Sequence, residues 1–322
     1  MHTEARTVRV AAVQMESLNS AVERNLERAT GFVEEAAARG ARLIALPEFT
    51  ATGYIFTKEI WDAAEPHDGP TARWLKETSS RLGVWIAAGF LEAEGDDFVN
   101  TYVLANPEGG EDGRVQKQTP AAAEAYFTEG RSGPHVIDSE LGRIGVGICY
   151  ENQLAFTPGL MTSQSVDLIL MPHSAPLLQP RPFFRWVNEG YEKALRGLAG
   201  LYAEQLGIPA VMINKSGRWR SPIPFMPLLK QDSAFPGLSA IADSDGSVRA
   251  QLAEDEGVIV EDVTLDPGRK TGSWTGCHGR WSMEETPPFI YALVAVEYMG
   301  RAWYAMSGDR KRKALEVSSG SA

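Results

Sequence analysis

Cysteine is scarce in this sequence: Cys149 and Cys277 are the only two among 322 residues. So few cysteines exclude a disulfide-stapled scaffold and a cysteine-rich zinc site. The five histidines show neither an HExxH pattern nor a paired His/Cys spacing. The sequence therefore predicts no metal site.

Long apolar runs and an N-terminal targeting pattern are also missing. The apolar runs are far shorter than the about 20 residues that a membrane-spanning helix needs. The chain starts MHTEARTVRVAAVQM, which lacks a basic segment followed by an apolar stretch and a small-residue cleavage site. We therefore expect no membrane partner and a cytoplasmic location, where thiols stay reduced.

An excess of positive charge is the third absence. Lysine and arginine number 31 against 42 aspartates and glutamates, which gives a formal net charge of −11. Because nucleic-acid affinity comes mostly from neutralising phosphates, this balance argues against a nucleic-acid partner. Hydrophobic residues make up 43% and charged residues 23% of the chain, which is typical of a globular protein and excludes a disordered chain.

Short apolar and β-branched runs recur along the chain and predict strands, with helices between several of them. The predicted strands are 8–15, 42–47, 83–90, 100–106, 143–149, 167–172, 208–214, 238–243 and 257–263. Apolar periodicity predicts helices over 22–37, 71–82 and 187–202, and the spacing of Ser20 and Glu23 predicts a capping box before the first of them. This alternation indicates an α/β protein whose sheets are covered by helices.

Three of the predicted strands end in a polar residue. Glu48 follows LIALP, Cys149 ends GRIGVGIC, and His173 follows LILMP. In open α/β sheets, ligands and chemistry gather beyond the carboxyl ends of strands. These residues are therefore candidates for a functional site.

Cys149 taken alone supports two interpretations. The glycines at 145 and 147 allow a sharp exit from the strand, which suits a nucleophile with the next backbone N–H free to bind an oxyanion. Free cysteine is, however, more often a small buried hydrophobe. A cysteine–histidine–asparagine hydrolase is one alternative, but no spacing places a histidine beside Cys149.

Three segments together resemble the nitrilase, or carbon–nitrogen hydrolase, superfamily. They are LPEFTATGY (46–54), GRVQKQTPAAAEAYFTEG (113–130) and GVGICYENQ (145–153). The resemblance implies a catalytic Glu48, Lys117 and Cys149 in family order, with Glu124 matching a second family glutamate.

The resemblance also implies the fold and the domain organisation. The family fold is a four-layer αββα sandwich, and the likeness implies a carbon–nitrogen hydrolase domain over 1–270. Residues 271–322 resemble the variable C-terminal extension, which implies an interface segment in a homodimer or larger homo-oligomer. The basic run from Asp309 and the following SSGSA predict a frayed, flexible tail.

The implied reaction needs no metal and no organic cofactor. Glu48 accepts the thiol proton of Cys149 and passes it to the leaving amine, while Lys117 and the backbone N–H of Tyr150 stabilise the oxyanion. Water then hydrolyses the acyl-thioester, with Glu48 again acting as the base. Glu124 positions Lys117 or the substrate.

The substrate class stays partly open at this point. We expect a pocket that includes Tyr54, Phe127, Tyr150, His173, Ser174 and Ala175. The sequence CYEN after the nucleophile lies between typical nitrilase and amidase patterns, so a small-molecule amide is favoured and a nitrile is the alternative. A non-enzymatic binding or redox-sensing protein on the same fold is the alternative from another class.

Overall fold

The structure is a computed structural model that describes residues 4–224, 226–282 and 289–320. In chain order its strands are β1 (Arg6–Gln14), β2 (Leu43–Ala45), β3 (Trp85–Glu94), β4 (Asp97–Ala105), β5 (Glu111–Gln116), β6 (Val136–Ser139), β7 (Gly142–Val146), β8 (Leu168–Pro172), β9 (Ala210–Ile213), β10 (Ser216–Ile223), β11 (Met226–Pro236), β12 (Ala240–Ala242), β13 (Val248–Gln251) and β14 (Gly257–Leu265). Its helices are α1 (Val22–Ala38), α2 (Pro70–Leu82), α3 (Phe156–Ser163), α4 (Arg185–Leu206), α5 (Phe289–Met306) and α6 (Gly308–Ser318).

The strands form two six-stranded mixed sheets and one separate hairpin. The first sheet has the order β14-β1-β2-β3-β4-β5, and the second has the order β13-β12-β9-β8-β7-β6. Each sheet has three parallel strands, β1-β2-β3 or β7-β8-β9, flanked by antiparallel ones. The hairpin β10-β11 lies outside both sheets.

The alternation of side chains along β1 shows how the layers form. Val8, Val10 and Ala12 belong to the core shared with the second sheet, whereas Ala11 and Val13 pack on the other face with α1 and α2. Since successive side chains of a strand point to opposite faces, burial of both faces produces a continuous apolar run. Helix α4 covers β9 and β12 of the second sheet, so the predicted αββα sandwich is confirmed.

The nine predicted strands and three predicted helices are present, with ends that differ by a few residues. The sequence does not predict β5, β6 and β13, which lie at sheet edges or next to solvent and carry polar residues instead of an apolar run. It also does not predict β10 and β11, because Pro222 and Pro224 disfavour a regular strand in this segment. That segment is a hairpin with an irregular register at its tip.

The predicted capping box at Ser20 is wrong. Ser20 adopts a positive φ of 54° in a turn, and its N–H donates to the Thr52 carbonyl at 3.0 Å. The residue before the helix is Ala21, which has no side-chain hydrogen bond to cap it. The buried Asn25 side chain instead fixes this end of α1, by hydrogen bonds to both backbone groups of Leu18 and to the Ala51 carbonyl.

The prediction of a frayed tail from Asp309 is wrong for the residues that form α6. This helix packs on β3 and β4, and its Arg310 guanidinium pairs with Asp97 and lies 4.6 Å from the centre of the Tyr304 ring. Ala314 is fully buried in a cluster with aromatic side chains of the domain. The basic run thus belongs to an amphipathic helix, with Arg310 partnered and the other basic residues at the surface.

The preceding helix α5 packs on the turn at 122–126. Gly300 lies against Ala125 and Tyr126, where a Cβ atom would come within 3.0 Å of both residues. The Tyr304 hydroxyl accepts a hydrogen bond of 2.8 Å from the Phe98 N–H. Among the described residues, no helix is both long enough and apolar enough to span a bilayer.

We expect the substitution Ala314→Asp to lower the free energy of unfolding by at least about 2 kcal/mol, because it buries an unpaired carboxylate. The adjacent substitution Leu315→Asp changes the same helix at a side chain that is 52% exposed, so it should cost within about 0.5 kcal/mol. Urea unfolding curves of both variants test the packing of α6. Equal midpoints for the two variants would contradict it.

Candidate active site

Four loops converge where carboxyl ends of parallel strands from both sheets meet. Glu48 lies beyond β2, Cys149 lies beyond β7, and Ser174 follows β8. Lys117 is the residue directly after the edge strand β5. Because the two sheets pack face to face, residues that are far apart in the sequence lie in one buried cluster.

Glu48 is fully buried, and both of its carboxylate oxygens accept hydrogen bonds. Its Oε1 accepts from Lys117 Nζ at 2.7 Å and from Asn100 Nδ2 at 2.7 Å. Its Oε2 accepts from the Ser174 backbone N–H at 2.7 Å, and the Ser174 hydroxyl donates to the Glu48 carbonyl at 2.7 Å. This carboxylate is therefore held from both sheets.

Lys117 bridges two carboxylates. Its ammonium donates to Glu48 Oε1 at 2.7 Å and to Glu124 Oε2 at 2.6 Å, and all three side chains are fully buried. Asn100 bridges the same pair, since its Nδ2 also donates to Glu124 Oε1 at 2.8 Å. The short turn at 122–126 presents Glu124, whose Oε2 also accepts from the Ala121 N–H at 3.0 Å.

The pKa values of the two carboxyl groups shift in opposite directions. Burial raises the pKa of Glu48, but the Lys117 charge and the hydrogen bonds from Lys117 and Asn100 outweigh burial, so the net shift is downward. Burial also raises the pKa of Glu124, and there the opposing Lys117 charge is not sufficient, so the net shift is upward. Burial lowers the pKa of Lys117, but the two carboxylates reverse this and hold it well above its usual range.

Cys149 begins a short helical turn at 149–153 in a left-handed backbone conformation, with φ of 54°. Such a conformation costs a non-glycine residue about 1–3 kcal/mol and is common at functional sites. A Cβ atom at Gly147 would clash with the Asn152 side chain, which explains the glycine before the turn. Burial and the Glu48 charge raise the pKa of the Cys149 thiol, while Lys117 and the Ser174 N–H oppose them, and the net shift is strongly upward.

Glu151 joins the Cys149 turn to the segment after Lys117. One carboxylate oxygen accepts from the Ile148 N–H at 3.1 Å, next to the cysteine. The other accepts from the N–H groups of Gln118 and Thr119 at 2.7 and 3.1 Å. Glu151 is fully buried, so these bonds fix the position of one loop against the other.

Cys149 lies at the wall of a cavity of about 280 Å³. Tyr54, Tyr150, Ser174 and Ala175, which the sequence predicts as pocket residues, all line this cavity. Further described walls come from β10, β11, α4, α5, the segment after β8 and residues 121–123. The structure thus brings these four residues together with the Glu48, Lys117 and Cys149 cluster.

The other two residues predicted for the pocket, Phe127 and His173, lie behind the cavity lining. Phe127 is fully buried against the rings of Phe49 and Tyr54. His173 is fully buried, and its Nε2 lies 3.1 Å from the Asn152 amide nitrogen. Burial lowers the pKa of His173 to about 4, so the imidazole is neutral at neutral pH.

Sequence reasoning missed Asn100, Glu151 and Lys215. Asn100 is a polar residue in a strand whose other residues are mostly apolar, and Glu151 directly follows Cys149 and Tyr150. Both positions therefore gave a weak indication of a role in the site. Lys215 is fully buried after β9 and donates to the Phe49 carbonyl at 2.9 Å, and burial lowers its pKa to about 7. Within the described residues, no group of three or more acidic, histidine or cysteine side chains is arranged to hold a metal ion.

Comparison with curated proteins finds similarity to hydrolases of carbon–nitrogen bonds. The chain is 32% identical over 177 residues to a nitrilase of Pyrococcus abyssi, covering 54% of this chain and 66% of the relative, just under two thirds of its length. It is 26% identical over 287 residues to an N-carbamoylputrescine amidase of Arabidopsis thaliana, covering 85% of this chain and 93% of the relative.

Comparison with solved structures and family models agrees. The fold is similar to that of an amidase from Nesterenkonia sp., with a TM-score of 0.66 and 21% identity over 80% of this chain and 91% of that one. In a mutant of that amidase, the acetamide moiety of fluoroacetamide is covalently added at the active-site cysteine. The sequence model named carbon-nitrogen hydrolase matches residues 9–272, most of the chain. The chain therefore belongs to the carbon–nitrogen hydrolase family, within the nitrilase superfamily.

Proposed function

We propose that this protein hydrolyses a small-molecule amide to a carboxylic acid and ammonia or an amine through a Cys149 acyl-enzyme. One observation carries the proposal: the buried Glu48–Lys117–Glu124 cluster lies beside a cysteine that opens onto a cavity. A resident metal or organic cofactor is not part of the proposed chemistry.

Glu48 is the base in this mechanism. The raised thiol pKa means that Cys149 rests in its protonated form, so attack requires a group that removes the proton. The lowered pKa of Glu48 means that its carboxylate is ionised and able to accept it. As the sulfur bonds to the substrate carbonyl carbon, the thiol proton moves to Glu48 and then to the leaving nitrogen, which departs as ammonia or amine.

Lys117 supplies positive charge to the developing oxyanion. Two protons of its ammonium donate to Glu48 and Glu124, which leaves a third for the substrate oxygen. The raised pKa keeps the group charged, and Glu124 holds it in position. The backbone N–H of Tyr150 is the second proposed donor. Glu48 then removes a proton from water, which attacks the thioester to release the acid and restore the thiol.

A nitrile is the second candidate substrate, because the Pyrococcus abyssi relative is a nitrilase. The same nucleophile would add to the nitrile carbon, and two waters would be needed to reach the acid and ammonia. Ammonia release from matched amides and nitriles distinguishes the two reactions.

We also propose that the protein forms a homodimer or a larger homo-oligomer, with residues 271–322 as the C-terminal extension that provides an interface. The exposed face of α5 supports this proposal, since it carries large apolar side chains that a monomer would leave in water. These are Tyr291, Tyr298, Met299, Trp303 and Met306.

We expect Cys149→Ala to abolish ammonia release while the protein keeps its thermal midpoint. Cys277→Ala is the matched control, because Cys277 is exposed and does not line the cavity, and it should keep most of the activity. The assay compares a panel of aliphatic amides, aryl amides, carbamoyl compounds and nitriles. Full activity in Cys149→Ala would rule out the proposed nucleophile.

We expect Glu48→Gln to lower turnover by at least about 10²–10⁴-fold, because both acylation and deacylation need the base. Glu65→Gln is the matched control: Glu65 is also a buried carboxylate, but it accepts its hydrogen bonds from the N–H and the hydroxyl of Thr71 at the start of α2. Steady-state kinetics and a thermal melt of both variants check this role. A loss smaller than about tenfold in Glu48→Gln would show that Glu48 is structural.

We expect both Lys117→Met and Lys117→Arg to be folded and to lose at least about 10²–10³-fold in turnover, the usual cost of one oxyanion donor. The broad guanidinium cannot occupy the place of a compact ammonium between two carboxylates. In Lys117→Met, protonation of one carboxyl relieves the unpaired charge. Lys76→Met, which removes a surface partner of Asp68, should keep its activity. Near-normal turnover in Lys117→Arg would contradict a positional role for the ammonium.

A further inference from the structure

The cavity beside Cys149 is walled mostly by apolar and aromatic side chains. Phe56 and Trp219 form one side, Val187 of α4 forms another, and Leu293 and Val296 of α5 cover the site. These residues come from parts of the chain that the catalytic cluster does not use. The cavity therefore has a binding surface that is distinct from its reactive end.

The amide side chains in this lining are engaged by the protein itself, whereas the buried Tyr150 hydroxyl has no hydrogen-bond partner among the described residues. The Asn188 amide accepts from the backbone N–H and donates to the carbonyl of the segment 177–178, at 2.9 and 3.1 Å. Gln231 donates to a carbonyl of the same segment at 3.4 Å. Gln153 forms a hydrogen bond with the Tyr191 hydroxyl. These amides hold the wall in place, so they are poorly placed to recognise a polar substrate group.

The described part of the cavity lining carries no formally charged side chain. None of the described residues that line the cavity is lysine, arginine, aspartate or glutamate. The nearby Arg280, whose guanidinium lies over the Tyr150 ring, is paired with Glu297 at 2.6 Å. The Glu48–Lys117–Glu124 cluster contributes two carboxylates against one ammonium, which disfavours a further carboxylate on the substrate.

We propose, on the basis of the amide hydrolysis proposed above, that the substrate is a primary amide whose acyl group is uncharged and apolar, either branched aliphatic or arylalkyl. The cavity volume of about 280 Å³ lies just below the range of about 300–1,000 Å³ of typical ligand pockets, so it suits a small amide. A charged end group would lose its hydration without gaining an oppositely charged partner from the described lining, whereas an apolar group gains by burial.

Two pairs of amides test the proposal, because each pair keeps its shape and changes only the charge. The first pair is 5-methylhexanamide and 5-amino-5-oxopentanoate, in which a carboxylate replaces an isopropyl group. The second pair is hexanamide and 5-aminopentanamide, in which an ammonium replaces a methyl group. We expect kcat/KM for the apolar member to exceed that for the charged member by at least about 100-fold in both pairs.

A charge placed in the cavity should change this preference. Val296→Arg adds a guanidinium to the lining, and we expect it to shift the kcat/KM ratio of the first pair by at least tenfold towards the carboxylate, following the pairing of arginine with carboxylates. Leu315→Arg adds the same charge on α6, at a side chain that is 52% exposed and outside the lining, so it should leave the ratio unchanged.

The outcomes separate the inference from the function on which it rests. Ammonia release from none of the amides, acetamide included, would overturn the proposed function. Release from the charged members at equal or higher kcat/KM would overturn only the apolar substrate class. A higher kcat/KM for acetamide than for 5-methylhexanamide would also overturn the apolar substrate class, because filling the cavity with an apolar group would then not favour the reaction.

Discussion

The site depends on the Lys117 ammonium between the carboxylates of Glu48 and Glu124. These three buried ionisable side chains depend on one another, since removing one partner from a buried ion pair typically costs about 3–5 kcal/mol unless a neighbouring carboxyl takes up a proton. Lys117 favours the ionised form of Glu48, whereas burial and the Glu48 charge raise the pKa of Glu124 despite the same ammonium. The same interaction thus sets both the geometry and the protonation state that the proposed reaction needs.

The rest of the fold holds the Glu48–Lys117–Glu124 cluster and the Cys149 thiol in position. The Ser174 N–H brings the second sheet to Glu48, and Glu151 ties the Cys149 turn to the segment after Lys117. Cys149 and Phe49 both adopt positive φ values, of 54° and 49°, next to these contacts. Such strained residues persist only where surrounding hydrogen bonds and packing determine them. Lys215 provides one such bond, to the Phe49 carbonyl.

The C-terminal helices connect this site to the surface of the molecule. Helix α6 fixes the end of the chain on β3 and β4, and α5 extends across the turn that carries Glu124. One side of α5 contributes Leu293 and Val296 to the cavity, while another exposes apolar residues to solvent. Helix α5 therefore lines the cavity from outside the Glu48–Lys117–Glu124 cluster, to which the proposed function assigns the chemistry.

The apolar strands and the α/β layering could be predicted from the sequence, because they depend on local apolar patterns. The candidates Glu48, Lys117 and Cys149 could be predicted as well, because short segments around them resemble family motifs. The hydrogen-bond and ion-pair partners of these residues are seen only in the tertiary structure. Asn100 of β4 donates to the carboxylates of both Glu48 and Glu124, which lie in loops distant from it in the sequence. The His173 ring lies against Asn152 and does not line the cavity. The edge strands and α6 also escaped prediction, since their stability comes from neighbours distant in the chain. The packing of the two sheets determines these side-chain contacts, and this packing leaves no periodic pattern in the sequence.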